Sequence, residues 1–322
     1  MKTTLTLLLA FLISSLPSKA TAQAPQFILQ WGTPGYLNGQ FDGPDGVATD
    51  ADGNVFVVDS YNHRIQKFTS TGVYLTQWGS EGNADGQFEY PVAIATDAAG
   101  HVFVTDTNHR VQKFTGIGSF ILSWGSQGTG PGSFDHPVGV ATDASGHVFV
   151  ADYYNSRVQK FTNTGAYVSE WGQPGGGDGE FNRPYGVATD LFGNVFVFDE
   201  FYERIQKFTG SGLFLTAWGS PGHGNGQFSG ANGLATDAAG NLYVADFHNN
   251  RIQVFTNLGA YVTQWGSAGS GPGQFNGPVA VAVDGTGHIF VGDALNERIQ
   301  QFGPMPTPSM RSTWGHLKAA YR

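Results

Sequence analysis

The chain has 322 residues, with 47 glycines, no cysteine, 13% charged residues and a formal net charge of −9. The missing cysteines exclude a disulfide framework, a zinc–thiolate site and a cysteine nucleophile, and so low a charged fraction excludes a long-helix or coiled-coil protein. An aromatic content of 14% argues against disorder.

Residues 1–22 read as a signal peptide. Lys2 supplies the basic start, Leu5 to Ile13 the apolar segment, and Ala20-Thr21-Ala22 the small-residue cleavage pattern. The apolar run is shorter than the roughly 20 residues a span requires. No membrane span is therefore expected, and cleavage after Ala22 predicts a secreted or periplasmic protein. All 25 acidic residues fall in 23–302, against eleven Lys and Arg. A body this acidic offers no electrostatic footprint for nucleic acid.

Tryptophans recur at 31, 78, 124, 171, 218 and 265, each followed by glycine and spaced 46 or 47 residues apart. Such a period marks an array of one supersecondary unit. In the first unit, strand patterns cover Gly46 to Thr49, Asn54 to Asp59, Arg64 to Phe68 and Val73 to Trp78, separated by turns at Asp50-Ala-Asp-Gly53 and Thr69-Ser-Thr-Gly72. Val55-Phe-Val-Val58 is apolar at every position, so both faces of that strand are expected to be buried. Tyr74, Thr76 and Trp78 share one face by the period of two. Four-stranded units in radial repetition are propeller blades. Six such units fill 23–302. Residues 26–31 match a fourth strand that precedes any first strand, and the sixth unit stops at Phe302 without its fourth. The expectation is an all-β, six-bladed β-propeller of four-stranded antiparallel blades, its ring closed by the N-terminal strand. Residues 303–322 form a Pro-rich linker and a basic tail holding Trp314, a frayed end or a docking tag.

Phe-x-x-Pro-x-Gly-Val-Ala-Thr-Asp, then Gly-x-Val-Phe-Val-x-Asp, then Asn-x-Arg-Ile-Gln-Lys-Phe resembles the NHL repeat. The resemblance covers all six units and implies a six-bladed propeller. The family's functions range from ligand and RNA binding to an amidating lyase and lactonases, so fold alone does not select one. The lyase resemblance places catalytic zinc on histidines directly after the proline that opens the first strand. The matching positions are Asp45, Val92, Val138, Tyr185, Asn232 and Val279, and none is histidine. The lactonase resemblance implies channel calcium, but Asp45, Asn232 and Tyr185 bring one acid among valines, a thin cage for Ca²⁺.

Other patterns read as scaffold. Asp59, Asp106, Asp152, Asp199, Asp246 and Asp293 each precede an arginine across a short loop, which predicts a bidentate, blade-fixing salt bridge. The Asp50 turn lacks the distant Glu of a calcium loop. His101, His147 and His288 share a turn-flanking position that is Asn in the other blades, a spacing unsuited to one zinc. The Gly-rich loops, such as Gln173 to Gly179, are blade connectors, since no helix or Lys-Ser/Thr follows.

The loops between second and third strands vary most, and they share a face with the Gly-rich loops and the channel mouth. Blade 4 departs furthest: Glu200-Phe-Tyr-Glu203 replaces the Asn-bearing loop, and Tyr185 stands where three blades have Val. Tyr185, Phe201 and Tyr202 offer stacking surface, with Glu200 and Glu203 as acceptors. Tyr153, Tyr154, Phe247 and His248 extend the patch over blades 3 to 5, and Asp45 and Asn232 line the mouth. Aromatics on a polar face suit peptide and sugar recognition. The reading is a non-enzymatic, monomeric scaffold for a protein, peptide or glycan, with no cofactor. The alternative is a metal-dependent propeller enzyme, lyase-like or lactonase-like.

Overall fold

The computed structural model describes residues 23–305. The expected signal peptide and most of the C-terminal tail lie outside the described residues. Six four-stranded antiparallel sheets form the blades. Blade 1 comprises Pro44–Thr49, Val55–Asp59, Arg64–Phe68 and Tyr74–Trp78, and blade 4 comprises Pro184–Thr189, Asn194–Asp199, Arg204–Thr209 and Phe214–Trp218. The first strand of each blade packs on the first strands of both neighbours, blade 6 against blade 1 included, so these six strands wall a central channel.

The ring closes as the orphan strand requires. Phe27–Trp31 pairs antiparallel with Arg298–Phe302, with Phe27 opposite Phe302 and Trp31 opposite Ile299, and so becomes the outer strand of blade 6. Trp31 then reaches across the seam, its ring 6.2 Å from Phe290 of blade 6 and 5.8 Å from Phe68 of blade 1. It also covers the turn glycine of blade 1. Gly72 has φ +77°, and a Cβ there would lie 2.8 Å from the indole, so only glycine satisfies both the turn and the contact.

The core lies between blades. Val55 and Val57 pack into a cluster shared with blade 6, while Phe56 and Val58 pack into one shared with blade 2. All four are fully buried, as their unbroken apolar run predicts. Burial of a Val or Phe side chain stabilises by about 1.5–3 kcal/mol, and every blade repeats the arrangement. The turns are Asx turns: Asp50 Oδ1 accepts from the backbone N–H groups of Asp52 and Asn54, and the Asn54 amide donates to the same carboxylate. His101 and His147 replace that amide, each placing Nδ1 2.9 Å from its turn aspartate.

The six Asp–Arg pairs are present, with one difference from the expected geometry. Arginine reaches aspartate through Nε, at 2.8 Å for Arg157 and Asp152, and its two Nη groups turn instead to the Gly-rich loop. The bidentate carboxylate contact does not form because the strand register puts Asp152 directly opposite Arg157. The fork therefore reaches past the carboxylate to the carbonyls of Thr129, Gly130 and Ser133. Burial holds the Asp152 carboxyl above its ordinary range despite hydrogen bonds from Asn155 and Arg157. The network positions the loop more than it stabilises the fold.

Two outcomes test this architecture. Deleting residues 23–32 is expected to expose the Arg298–Phe302 edge and lower the Tm of the whole ring, read by calorimetry; a truncated protein that melts like the parent would refute the closure. Arg157→Ala is expected to cost about 3–5 kcal/mol in a denaturant titration, because it strands a fully buried carboxylate; a cost under about 1 kcal/mol would place the pair among solvated surface ion pairs.

Candidate functional site

The face carrying the Gly-rich loops also carries the loops between second and third strands, and it is held flat by one repeated network. In blade 3, Gln159 donates to Asp152 and to the Ser133 carbonyl and accepts from the Gly132 N–H. Asn155 donates to Asp152 and to the Gly128 carbonyl. Asn62, Asn108, Asn249 and Asn296 do the same in their blades. Blade 4 breaks the pattern. Tyr202 takes the Asn position, and its ring lies over Gly176, where a Cβ would come within 2.9 Å. The Arg204 guanidinium sits 5.2 Å from the same ring.

The residue just before each arginine occupies the left-handed region: His63, His109, Ser156, Glu203, Asn250 and Glu297, with φ between 49° and 59°. Five of these side chains accept a hydrogen bond from a backbone N–H of the next blade. The acceptors are His63 from Tyr90, His109 from His136, Glu203 from Gly230, Asn250 from Gly277 and Glu297 from Gly43. Glu203 is thus engaged with blade 5, and burial raises its pKa.

Of the residues singled out from sequence, the structure joins one group directly. The Tyr153 hydroxyl donates to the Glu200 carboxylate. The Tyr153 ring meets Tyr185 edge-on at 6.0 Å and Tyr154 at 4.8 Å. Burial raises the Tyr153 and Tyr185 hydroxyls well above the ordinary phenol range. Phe201 and Tyr202 form a second pair, 5.1 Å apart, with Phe201 exposed. Phe247 and His248 form a third, 4.9 Å apart; there Phe247 packs toward the blade 6–blade 1 core and His248 against Gly230. Asp45, Tyr185 and Asn232 line the cavity at the channel mouth, which is partly open to solvent. Among the described residues, no three His, Cys, Asp or Glu side chains converge as a metal set.

Sequence reasoning missed three rim residues. The position before each first strand has positive φ in every blade. It is Gly43, Gly230 and Gly277 in blades 1, 5 and 6, but Tyr90, His136 and Arg183 in blades 2 to 4, with φ of 44°, 63° and 68°. The available clue was this exchange of Gly for a large residue at one repeat position. All three side chains join aromatic contacts: Tyr90 with Tyr61 and His63, His136 with Tyr153 and Tyr154, and Arg183 with Tyr153 at 5.8 Å. Burial lowers the pKa of His136, and neighbouring His109 lowers it further.

A family model for the NHL repeat matches residues 41–68, 134–161 and 228–255, which fall in blades 1, 3 and 5. The chain carries NHL repeats at these three places. The intervening blades keep the same strand order. No curated protein matches the sequence. Among solved structures, one similar chain is a structural genomics protein of unknown function from Bacteroides thetaiotaomicron. It is 17% identical with a TM-score of 0.67, over 88% of this chain and 83% of that one. Virginiamycin B lyase from Staphylococcus aureus is 18% identical with a TM-score of 0.56, over 84% and 88%. A chain of a nidogen/laminin complex is 16% identical with a TM-score of 0.55, over 71% and 82%. At such identities the likeness shows the fold alone.

Asp45 gives this NHL propeller a pH signature. Burial pushes its carboxyl up to about 7; the Ser60 hydroxyl lowers it, and Glu297, Asp59 and Asp42 raise it further. The unfolded carboxyl titrates near 3.8, so between these values the folded state holds the extra proton, and stability falls as pH rises. Asp45→Asn removes that loss. It is expected to raise the Tm above the parent at about pH 8.5 and to leave it nearly unchanged at about pH 4, by differential scanning calorimetry. A shift of equal size at both pH values would contradict the assignment.

Proposed function

We propose that this NHL propeller is an exported, non-enzymatic binding scaffold that receives a protein, peptide or glycan on its loop face. The observation that carries the reading is the arc of Tyr90, His136 and Arg183. A non-glycine residue in the left-handed region costs about 1–2 kcal/mol, and blades 1, 5 and 6 avoid that cost with glycine. Three adjacent blades instead keep large side chains there and surround them with Tyr61, Tyr153 and Tyr154. Tyr61 and Tyr154 are 60% and 58% exposed, so the arc presents aromatic surface rather than burying it. Tyr and Arg are the residue types that supply binding hot spots. The Asp–Arg–Gln network below supplies the rigidity that keeps binding from costing loop entropy.

Export rests on the basic, apolar and small-residue order of residues 1–22. No helix among the described residues is long and apolar enough to cross a membrane. The fold is shared with a lyase and with a chain from a nidogen/laminin complex, and one fold can host both catalysis and binding. The exposed aromatic arc favours recognition.

The test separates binding from folding. A variant with glycine at positions 90, 136 and 183 relieves the backbone cost and is expected to melt at or above the parent temperature. On peptide and glycan arrays the same variant is expected to lose at least about tenfold in affinity for whatever the parent retains, by the hot-spot scale. Unchanged binding in a folded triple variant would remove the arc from the recognition surface.

A further inference from the structure

The channel mouth carries a chemical requirement of its own, which deepens the loop-face binding role and rests on it. Asp45 is the one carboxylate among the side chains lining the cavity. Its side-chain hydrogen-bond partner is the Ser60 hydroxyl, and the charged groups acting most strongly on it are acids: Glu297, Asp59 and Asp42. The arginine nearest in sequence, Arg64, is engaged with Asp59 and with the carbonyls of Leu37 and Gln40. Across the mouth stand the Tyr185 hydroxyl, which lies in the field of Asp45, and the Asn232 amide. The rest of that tier is Val92, Val138 and Val279, and the strands below offer glycine, alanine and then aliphatic side chains. The mouth is thus an apolar slot lined by the polar side chains of Asp45, Tyr185 and Asn232, and among the described residues the charges acting most strongly on Asp45 are acids.

We propose that this mouth binds a primary ammonium group on a short alkyl stem, with Asp45 as its counter-ion and the Asn232 carbonyl and Tyr185 hydroxyl as the other acceptors. An ammonium has three donors and no acceptor, which matches three oxygens placed around a ring. A guanidinium requires a free carboxylate edge for its planar fork, and Ser60 already bonds this carboxylate. A calcium ion requires six to eight oxygens, several of them charged, and one acid falls short. The stem packs against the valine tier, and the acidic body draws the cation toward the mouth. A lysine side chain and a free alkylamine carry this same group.

Titration by NMR, following the Gly46, Gly186 and Gly233 amides and the Asn232 side-chain amide, tests the proposal with three probes: n-butylammonium chloride, a blocked Gly-Lys-Gly tripeptide and n-butanol. At about pH 8.5 the butylammonium ion is expected to shift these signals and n-butanol to bind at least about tenfold more weakly, the usual scale for losing a charge-assisted contact. Because Asp45 must be ionised, the butylammonium affinity is expected to fall at least about tenfold on going to about pH 5.5, while the butanol affinity stays level. Asp45→Asn is expected to make the two small probes equal. Tighter binding of the tripeptide than of butylammonium identifies a lysine side chain as the source, and the reverse identifies a free amine. Should Asp45→Asn fail to fold, the pH dependence and the butanol comparison in the parent protein decide alone. Equal binding of butylammonium and butanol by the parent would overturn the ammonium assignment while leaving the mouth a binding site. No response to any probe, alongside loss of an array ligand in the rim triple-glycine variant, would overturn it and leave the scaffold reading standing.

Discussion

A buried aspartate at the end of each second strand organises this propeller. In blade 3, Asp152 is fully buried and collects hydrogen bonds from Arg157, Gln159, Asn155 and the Asp135 backbone N–H. A bare buried carboxylate is costly, so it must gather donors. The arginine it recruits has two further donor groups, and they find the carbonyls of the Gly-rich loop. The loop is thereby fixed to the blade edge without secondary structure of its own. Six copies of this arrangement make the loop face a rigid platform, which frees side chains at its rim from structural duty.

Other repeated contacts join blade to blade, and their gaps are informative. Lys67, Lys113, Lys160 and Lys207 each donate to a turn carbonyl of the following blade and lie over a buried phenylalanine. The equivalent residues in blades 5 and 6 are Val254 and Gln301. At the opposite channel end, Thr96, Thr142, Thr189 and Thr236 each donate to the carbonyl of the preceding blade at 2.6–2.7 Å, whereas blade 6 has Val283. Neither contact is made where blade 5 meets blade 6, while at the seam Thr49 of blade 1 still donates to the Val283 carbonyl of blade 6. Blade 5 is joined to blade 6 by apolar packing and by the Gly277 N–H donating to Asn250.

The same logic explains how a symmetric ring acquires an asymmetric face. The left-handed position before the first strand is demanded by the blade connection in all six units. Glycine meets it without strain, and any other residue there incurs a cost. Tyr90, His136 and Arg183 meet it on three consecutive blades, and His136 and Arg183 contact Tyr153 of the Tyr153, Tyr185 and Glu200 cluster. Asp45 faces that cluster from across the channel mouth.

The repeat made the fold legible. A 47-residue period, a strand pattern with two buried faces and an orphan fourth strand at one end determine the blade, the blade count and the closure, because each follows from local spacing and from the need to bury apolar faces. The roles of Asp152 and Arg157 as scaffold were also legible, since a feature common to all blades serves the blade. What the sequence could not supply was the direction in which side chains point once the loops fold. Glu203 looks like a free acceptor in the string Glu200-Phe-Tyr-Glu203, yet the left-handed backbone turns it onto Gly230 of the next blade. Phe201 and Tyr202 sit beside Tyr153 in repeat register, yet Tyr202 folds over Gly176. Tyr90, His136 and Arg183 were hidden because positive φ is a property of the connection and leaves no mark on residue type unless glycine is present. Local periodicity fixed the ring; the meeting of loops from neighbouring blades, contacts about 27 residues apart in sequence, was decided only when the ring closed and brought those rims together.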